Sequence, residues 1–240
     1  MILARHAEAL FWAGRQLERA ESTTRALDVV GRNAMHHRHP RARSEWRSLL
    51  DVFGLAAMFD ALPHVRDVDQ DTVAEFLFAS PDNPGSVVAS VAQLRENLRT
   101  VRDRVPVELW EEANRLHLQL HAQDALDPLQ AAPFELFSSV RRGCQAMAGV
   151  AAEAMARDEG YSFVDMGRML ERSIITCRII RFGLLGDSPD FDASTVLRLA
   201  SSLQAYRRFA GYHDDPETLA SFLLATEDLP RSVLACQRRV

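Results

Sequence analysis

Apolar residues recur every three to four positions along nearly the whole chain, and no segment alternates apolar and polar residues as a half-buried strand does. The first run covers residues 4–30 and has few breakers. A second, SEWRSLLDVFGLAAMFDAL, covers 44–62 and stops at Pro63, and a shorter one covers about 71–79. Between the first two, Arg32 to Arg43 reads as a basic loop with His36, His37, His39 and Pro40. Asn83 followed by Pro84 predicts an N-cap and a first helical residue, because a missing N–H costs nothing there. That helix runs to about Arg104, and Pro106 opens another that reaches about Leu126. An Ala-rich helix covers 134–158 and ends in the Asp158-Glu159-Gly160 turn. Ser162 with Asp165 resembles a capping box for 163–184, which stops at Gly186 and Pro189. Helices at about 194–209 and 216–226 follow, the latter capped by Asp215. Pro230 begins a last segment that runs into Val240 and reads as a helix cut short or a trimmed chain. About nine helices with short connections predict an all-α fold, a single-domain multi-helix bundle over residues 1–240.

One sentence of this sequence is written twice. Residues 14–25 read GRQLERAESTTR and residues 167–178 read GRMLERSIITCR, with seven identities in twelve ungapped positions. The copies stand 153 residues apart, too far for a solenoid, which predicts two pseudo-repeated helices within the bundle. At 100° per residue, Glu18 shares a stripe with Ala4, Ala7, Phe11, Ser22, Arg25 and Val29. Glu171 shares one with Val164, Ile175, Arg178 and Phe182. Both acids therefore sit among apolar neighbours, where a carboxylate is costly unless paired. Arg15 and Arg25 lie on the face of Glu18, and Arg168 and Arg178 on that of Glu171. Arg19 and Arg172 point about 100° away, toward a neighbouring helix or a ligand.

The segments LFWAGRQLERAESTTRALDV and FVDMGRMLERSIITCRII resemble the alpha-E domain family, uncharacterised all-helical proteins with a Glu-Arg (ER) motif. Asp82-Asn83-Pro84-Gly85-Ser86, Leu94-Arg95-Glu96-Asn97 and Leu203-Gln204-Ala205-Tyr206-Arg207-Arg208 are similar to it too. The two motifs are not equivalent, since Ile174 stands where the first has Glu21. The resemblance implies an association with circularly permuted ATP-grasp ligases and transglutaminase-like proteins, in making or modifying a peptide or amide. One reading makes the chain an accessory or catalytic component of such a system. Glu18 and Glu171 are then the candidate catalytic residues, and Arg15, Arg19, Arg25, Arg168, Arg172 and Arg178 bind a carboxylate or phosphate. The other makes it a non-catalytic helical scaffold or interaction module whose ER sets are structural ion-pair clasps.

Composition narrows the chemistry. All 28 basic residues are Arg, so Schiff-base and P-loop lysine chemistry are excluded. A net charge of −5 argues against a nucleic-acid partner. No stretch approaches the roughly 20 apolar residues of a membrane span, and the N-terminus lacks a signal-peptide pattern. Cys144, Cys177 and Cys236 form no CxxC pair, and the first two sit in apolar runs as small buried residues. A cytoplasmic protein without a cofactor is the expectation. His117 and His121 are spaced i, i+4 but no acid shares their face, so no metal is expected. Arg32, Arg38, Arg41, Arg43 and Arg47 with the three nearby histidines predict an exposed basic surface suited to an acidic partner. Trp12, Trp46 and Trp110 are expected in the core.

Overall fold

The structure, a computed structural model, describes residues 2–36, 39–63, 67–121, 126–185 and 191–240. Among the described residues it is all-α, with thirteen α-helices, one short 3-10 helix at Arg102–Arg104 and no strand. The helices are α1 (Ala4–Ala34), α2 (His39–Phe53), α3 (Ala56–Asp60), α4 (Gln70–Phe78), α5 (Val87–Thr100) and α6 (Val107–His121). They continue as α7 (Leu126–Ala131), α8 (Pro133–Ala154), α9 (Glu159–Gly183), α10 (Ala193–Leu199), α11 (Leu203–Ala210), α12 (Pro216–Ala225) and α13 (Val233–Gln237). The chain divides into two compact units, Met1–Arg25 with Glu75–Glu171 and Val240 in the first, Ala26–Ala74 with Arg172–Arg239 in the second.

In the first unit α5 packs on α6, and α6 and α7 pack on α8. The i, i+3, i+4 spacing of Val87, Val91, Leu94 and Leu98 on α5 and of Leu109, Ala113, Leu116 and Leu120 on α6 puts each row inside. Asn83 is not the N-cap of α5. Ser86 takes that place, accepting from Ala89 N at 3.3 Å. Asn83 is instead buried, donating to Phe76 O at 3.0 Å and accepting from Gly85 N at 2.9 Å, so it closes α4 and shapes the turn. Helix α9 likewise begins at Glu159, with Asp158 accepting from Tyr161 N at 3.1 Å, rather than at a Ser162 box. Asp158 serves because its carboxylate reaches an orphan first-turn N–H.

In the second unit two expected helices are each broken. The 44–62 run ends at Phe53, where Gly54 at φ 70° lets Leu55 N reach Leu50 O (2.8 Å) and Gly54 N reach Asp51 O (2.9 Å). This is a Schellman ending, which needs a left-handed residue just past the helix. The 194–209 run ends the same way at Ser201, φ 53°, with Ser202 N on Leu197 O (2.8 Å) and Ser201 N on Arg198 O (3.0 Å). Much of the basic stretch is helical rather than loop, because α1 continues to Ala34 and α2 begins at His39. Trp46, Leu49, Leu50, Tyr206 and Phe222 are buried in this unit, and the Tyr206 hydroxyl donates to His213 O at 2.8 Å. Asp215 caps α12 as expected, accepting from Thr218 N at 2.9 Å.

Candidate functional site

Two glycines inside long helices locate the site. A helical Gly costs about 0.5–1 kcal/mol against Ala, so it needs a reason. A Cβ built on Gly14 would lie 2.1 Å from Val164 O, and one built on Gly167 would lie 2.1 Å from Phe11 O. Helices α1 and α9 therefore touch backbone to backbone in the first unit, each glycine facing the residue three before the other. Side chains beside so close a contact reach across rather than along the helix. Arg15 Nε donates to Glu171 Oε2 at 2.5 Å, and Arg168 approaches Glu18 at 3.9 Å. The pairing is crossed: each Glu draws on the Arg that follows the other helix's glycine.

Glu171 also receives Arg19, with Nε 2.8 Å from Oε1 and Nη2 3.3 Å from Oε2, the two-point fork that guanidinium and carboxylate allow. Arg19 thus serves the neighbouring helix. Glu18 and Glu171 are only 2% and 4% exposed, which a carboxylate tolerates when its counter-ions are built in. Arg25 lies one turn beyond Glu21 on α1 and pairs back with it, Glu21 itself being buried. The acids lie near Cys144, whose thiol is pushed upward first by burial and then by Glu21 and Glu18. Arg172 and Arg178 belong to the second unit, where Arg172 donates to Pro230 O at 3.2 Å and Arg178 to Phe53 O at 2.9 Å.

Of the eight candidate residues, five therefore converge on one crossing: Arg15, Glu18, Arg19, Arg168 and Glu171. A helical domain built on paired Glu-Arg motifs is what the comparison with protein families finds, in the Alpha-E profile described as "a predicted alpha-helical domain with a conserved ER motif", matched over residues 2–240. The chain belongs to the Alpha-E family. It is similar to an uncharacterized protein of Mycobacterium bovis and to one of Mycobacterium tuberculosis, each 32% identical over 181 residues, 69% of this chain and 20% of the relative. The chain thus spans about a fifth of the length of the curated relatives it matches. No solved structure matches it.

The residues around this Alpha-E crossing include several that motif reasoning passed over. Gly14 and Gly167 were inside the repeat, and an unexplained helical Gly was the available signal. Glu21 was noted only as a difference between copies. Gln16 donates to Gln93 at 2.6 Å, and Gln93 to Pro84 O at 3.1 Å, a link that no sequence pattern announces.

Elsewhere, several expectations change. The basic stretch carries its own acids: Arg32 pairs with Asp28 at 2.8 Å, Arg41 with buried Glu45 at 3.6 Å, and Arg47 clamps Asp60 at 2.5 and 2.7 Å. His37 and Arg38 lie outside the described residues, as do the side chains of His39 and Pro40. The rings of His117 and His121 stack at 4.0 Å, and no third metal-ligating side chain joins them among the described residues. Of the tryptophans only Trp46 is fully buried. Trp12 is 38% exposed, and Trp110 is half-buried beneath Arg95 and Arg102. Cys177 is exposed, on the outer side of α9. Among the described residues no helix is long and apolar enough to cross a membrane.

Proposed function

We propose that this chain is a helical assembly module of an amide-forming or amide-modifying system, working in the cytoplasm beside a circularly permuted ATP-grasp or transglutaminase-like protein. Its ER residues set the α1–α9 crossing and do not perform the chemistry. The observation that carries this reading is the crossed pairing of Arg15 with Glu171 and Arg168 with Glu18 beside the two touching glycines. A general base has to reach a substrate proton, and two carboxylates buried to 2% and 4% exposure among arginines are placed to hold helices instead. That the chain matches a fifth of its relatives agrees with a module that works within or beside larger polypeptides.

The test is thermal and chemical unfolding of Glu18→Gln and Glu171→Gln beside co-purification with a circularly permuted ATP-grasp protein from the same genome. Removing one partner from a buried ion cluster costs about 3–5 kcal/mol. Both variants are expected to lose stability on that scale and to capture a circularly permuted ATP-grasp protein at temperatures where they stay folded. Wild-type stability with capture lost would make the cluster a functional site and overturn the reading.

A further inference from the structure

Glu171 is one carboxylate and receives two guanidinium groups, Arg15 and Arg19. One two-point guanidinium fork, such as Arg19 makes, already engages both oxygens of a carboxylate. Arg15 spends only its Nε on Glu171, and Arg19 only Nε and Nη2. The other terminal nitrogens of both have no acceptor among the described residues, yet they are not sealed from solvent. The side chains are 15% and 27% exposed. We infer that this outward edge of the cluster is an oxyanion site, at which Arg15 and Arg19 hold the carboxylate or phosphate group of a ligand whose apolar body lies against Trp12.

The surroundings are built for it. Trp12, Arg15, Gln16 and Arg19 follow i, i+3, i+4, i+7 on α1 and so form one strip. The Arg15 guanidinium lies over the Phe11 and Trp12 rings, at 5.9 and 5.6 Å from their centroids, which fixes its plane. Trp12 itself is 38% exposed beside it. At the other end, the Arg19 stem passes Gly85, where an added Cβ would come within 4.0 Å of its Cδ. Just beyond Gly85, α5 begins behind its Ser86 cap. The Gln16–Gln93–Pro84 hydrogen bonds tie this turn to α1. Of the acids on these elements, buried Glu18 faces Arg168 and buried Glu171 is held by the two arginines themselves, whereas Glu8 and Asp82 are exposed, so water and salt screen them. Planar forks recognise carboxylate and phosphate alike, so the ligand is defined by its oxyanion and its flat or apolar body.

This inference stands apart from the assembly role, since it requires no protein partner. It is tested by calorimetric titration of the purified chain with inorganic phosphate, with benzoate, and with benzamide as benzoate's uncharged analogue. Saturable one-to-one binding of phosphate or benzoate is expected, with none of benzamide. The tighter anion tells whether the natural group is a phosphate or a carboxylate. Affinity should fall about tenfold or more in Arg19→Gln, less in Arg19→Lys, and not at all in Arg47→Gln, whose arginine pairs with Asp60 elsewhere. Glu171→Gln removes the internal counter-ion, so the bound anion should raise its melting temperature more than that of the wild type. If Glu171→Gln does not fold, the Arg19 series decides alone. No saturable anion binding, equal binding by Arg19→Gln, or benzamide binding as well as benzoate overturns the site.

Discussion

Helices α1 and α9 carry the same Gly-Arg-x-Leu-Glu-Arg phrase and use it differently. Their shared glycines and first arginines behave reciprocally: each glycine abuts the other helix's backbone, and each following arginine faces the other helix's Glu. The later arginines part company. Arg19 forks onto Glu171, whereas its counterpart Arg172 donates to Pro230 O. Arg25 pairs within its own helix, whereas Arg178 leaves its helix for Phe53 O. One substitution accounts for the last difference. Glu21 gives Arg25 a carboxylate one turn back, and Ile174 gives Arg178 nothing there, so that guanidinium goes to the unsatisfied carbonyl at the end of α2. A repeated phrase thus fixes the crossing, where neighbours are each other, and diverges where the neighbours differ.

The crossing itself is the largest target. Gly14→Ala and Gly167→Ala each place a methyl 2.1 Å from a carbonyl oxygen of the opposite backbone, which no rotamer change relieves. Each is expected to cost at least about 3 kcal/mol, above ordinary overpacking because the obstacle is main chain. Gly149→Ala, on α8 with nothing within 4 Å, is the control and should gain about 0.5–1 kcal/mol. Urea unfolding of the three variants checks this. If only one of the two crossing glycines is sensitive, the contact is not reciprocal and the comparison breaks.

A smaller effect tests the divergence. Ile174→Glu restores the acid that the first helix has, at the i, i+4 spacing used by Glu21 and Arg25. It surrenders a half-buried Ile and draws Arg178 from Phe53 O, at an expected cost of about 1–2 kcal/mol. The same change in an Arg178→Met background should cost about 0.5 kcal/mol more, because no guanidinium then meets the new carboxylate. A double-mutant cycle with no coupling would mean that Ile174 does not direct Arg178.

Local periodicity carried most of the architecture into view, and the repeated phrase lies on the two helices that cross. Asp215 was legible as a cap because Pro216 follows it. The 44–62 reading ran through Gly54 and the 194–209 reading through Ser201, where a left-handed serine leaves no compositional trace. The stripes placed Glu18 and Glu171 inside, as found, since burial follows from one helix's own pattern. The crossing of the first arginines did not follow. Same-face reasoning gave each Glu the arginines of its own helix, whereas a backbone contact at Gly14 and Gly167 sends the first arginines across. Which helix lies 2.1 Å from a phantom methyl is a tertiary fact.

The smallest effect concerns a charge placed in the opposite way from Glu18 and Glu171. Those acids are buried with opposite charges supplied, whereas His117 on α6 is half-buried next to like charges. Its ring stacks on His121 at 4.0 Å, and Arg95 is near. Burial first, then His121 and Arg95, hold its imidazole below the ordinary 6.5, with Glu96 opposing weakly. The folded chain therefore takes up this proton less readily than the unfolded chain. Above about pH 6.5 both states keep His117 neutral and nothing is lost. As pH falls below that value the unfolded state protonates first and stability declines, levelling off once pH has passed the folded value. Urea midpoints measured from pH 8 down to 5 should show this gentle acid-side decline in the wild type and a shallower one in His117→Gln, whose amide does not titrate. The two should agree in shape above pH 7. Superimposable profiles, or a wild type that gains stability on acidification, would show that His117 has its counter-charge after all and belongs with the buried acids.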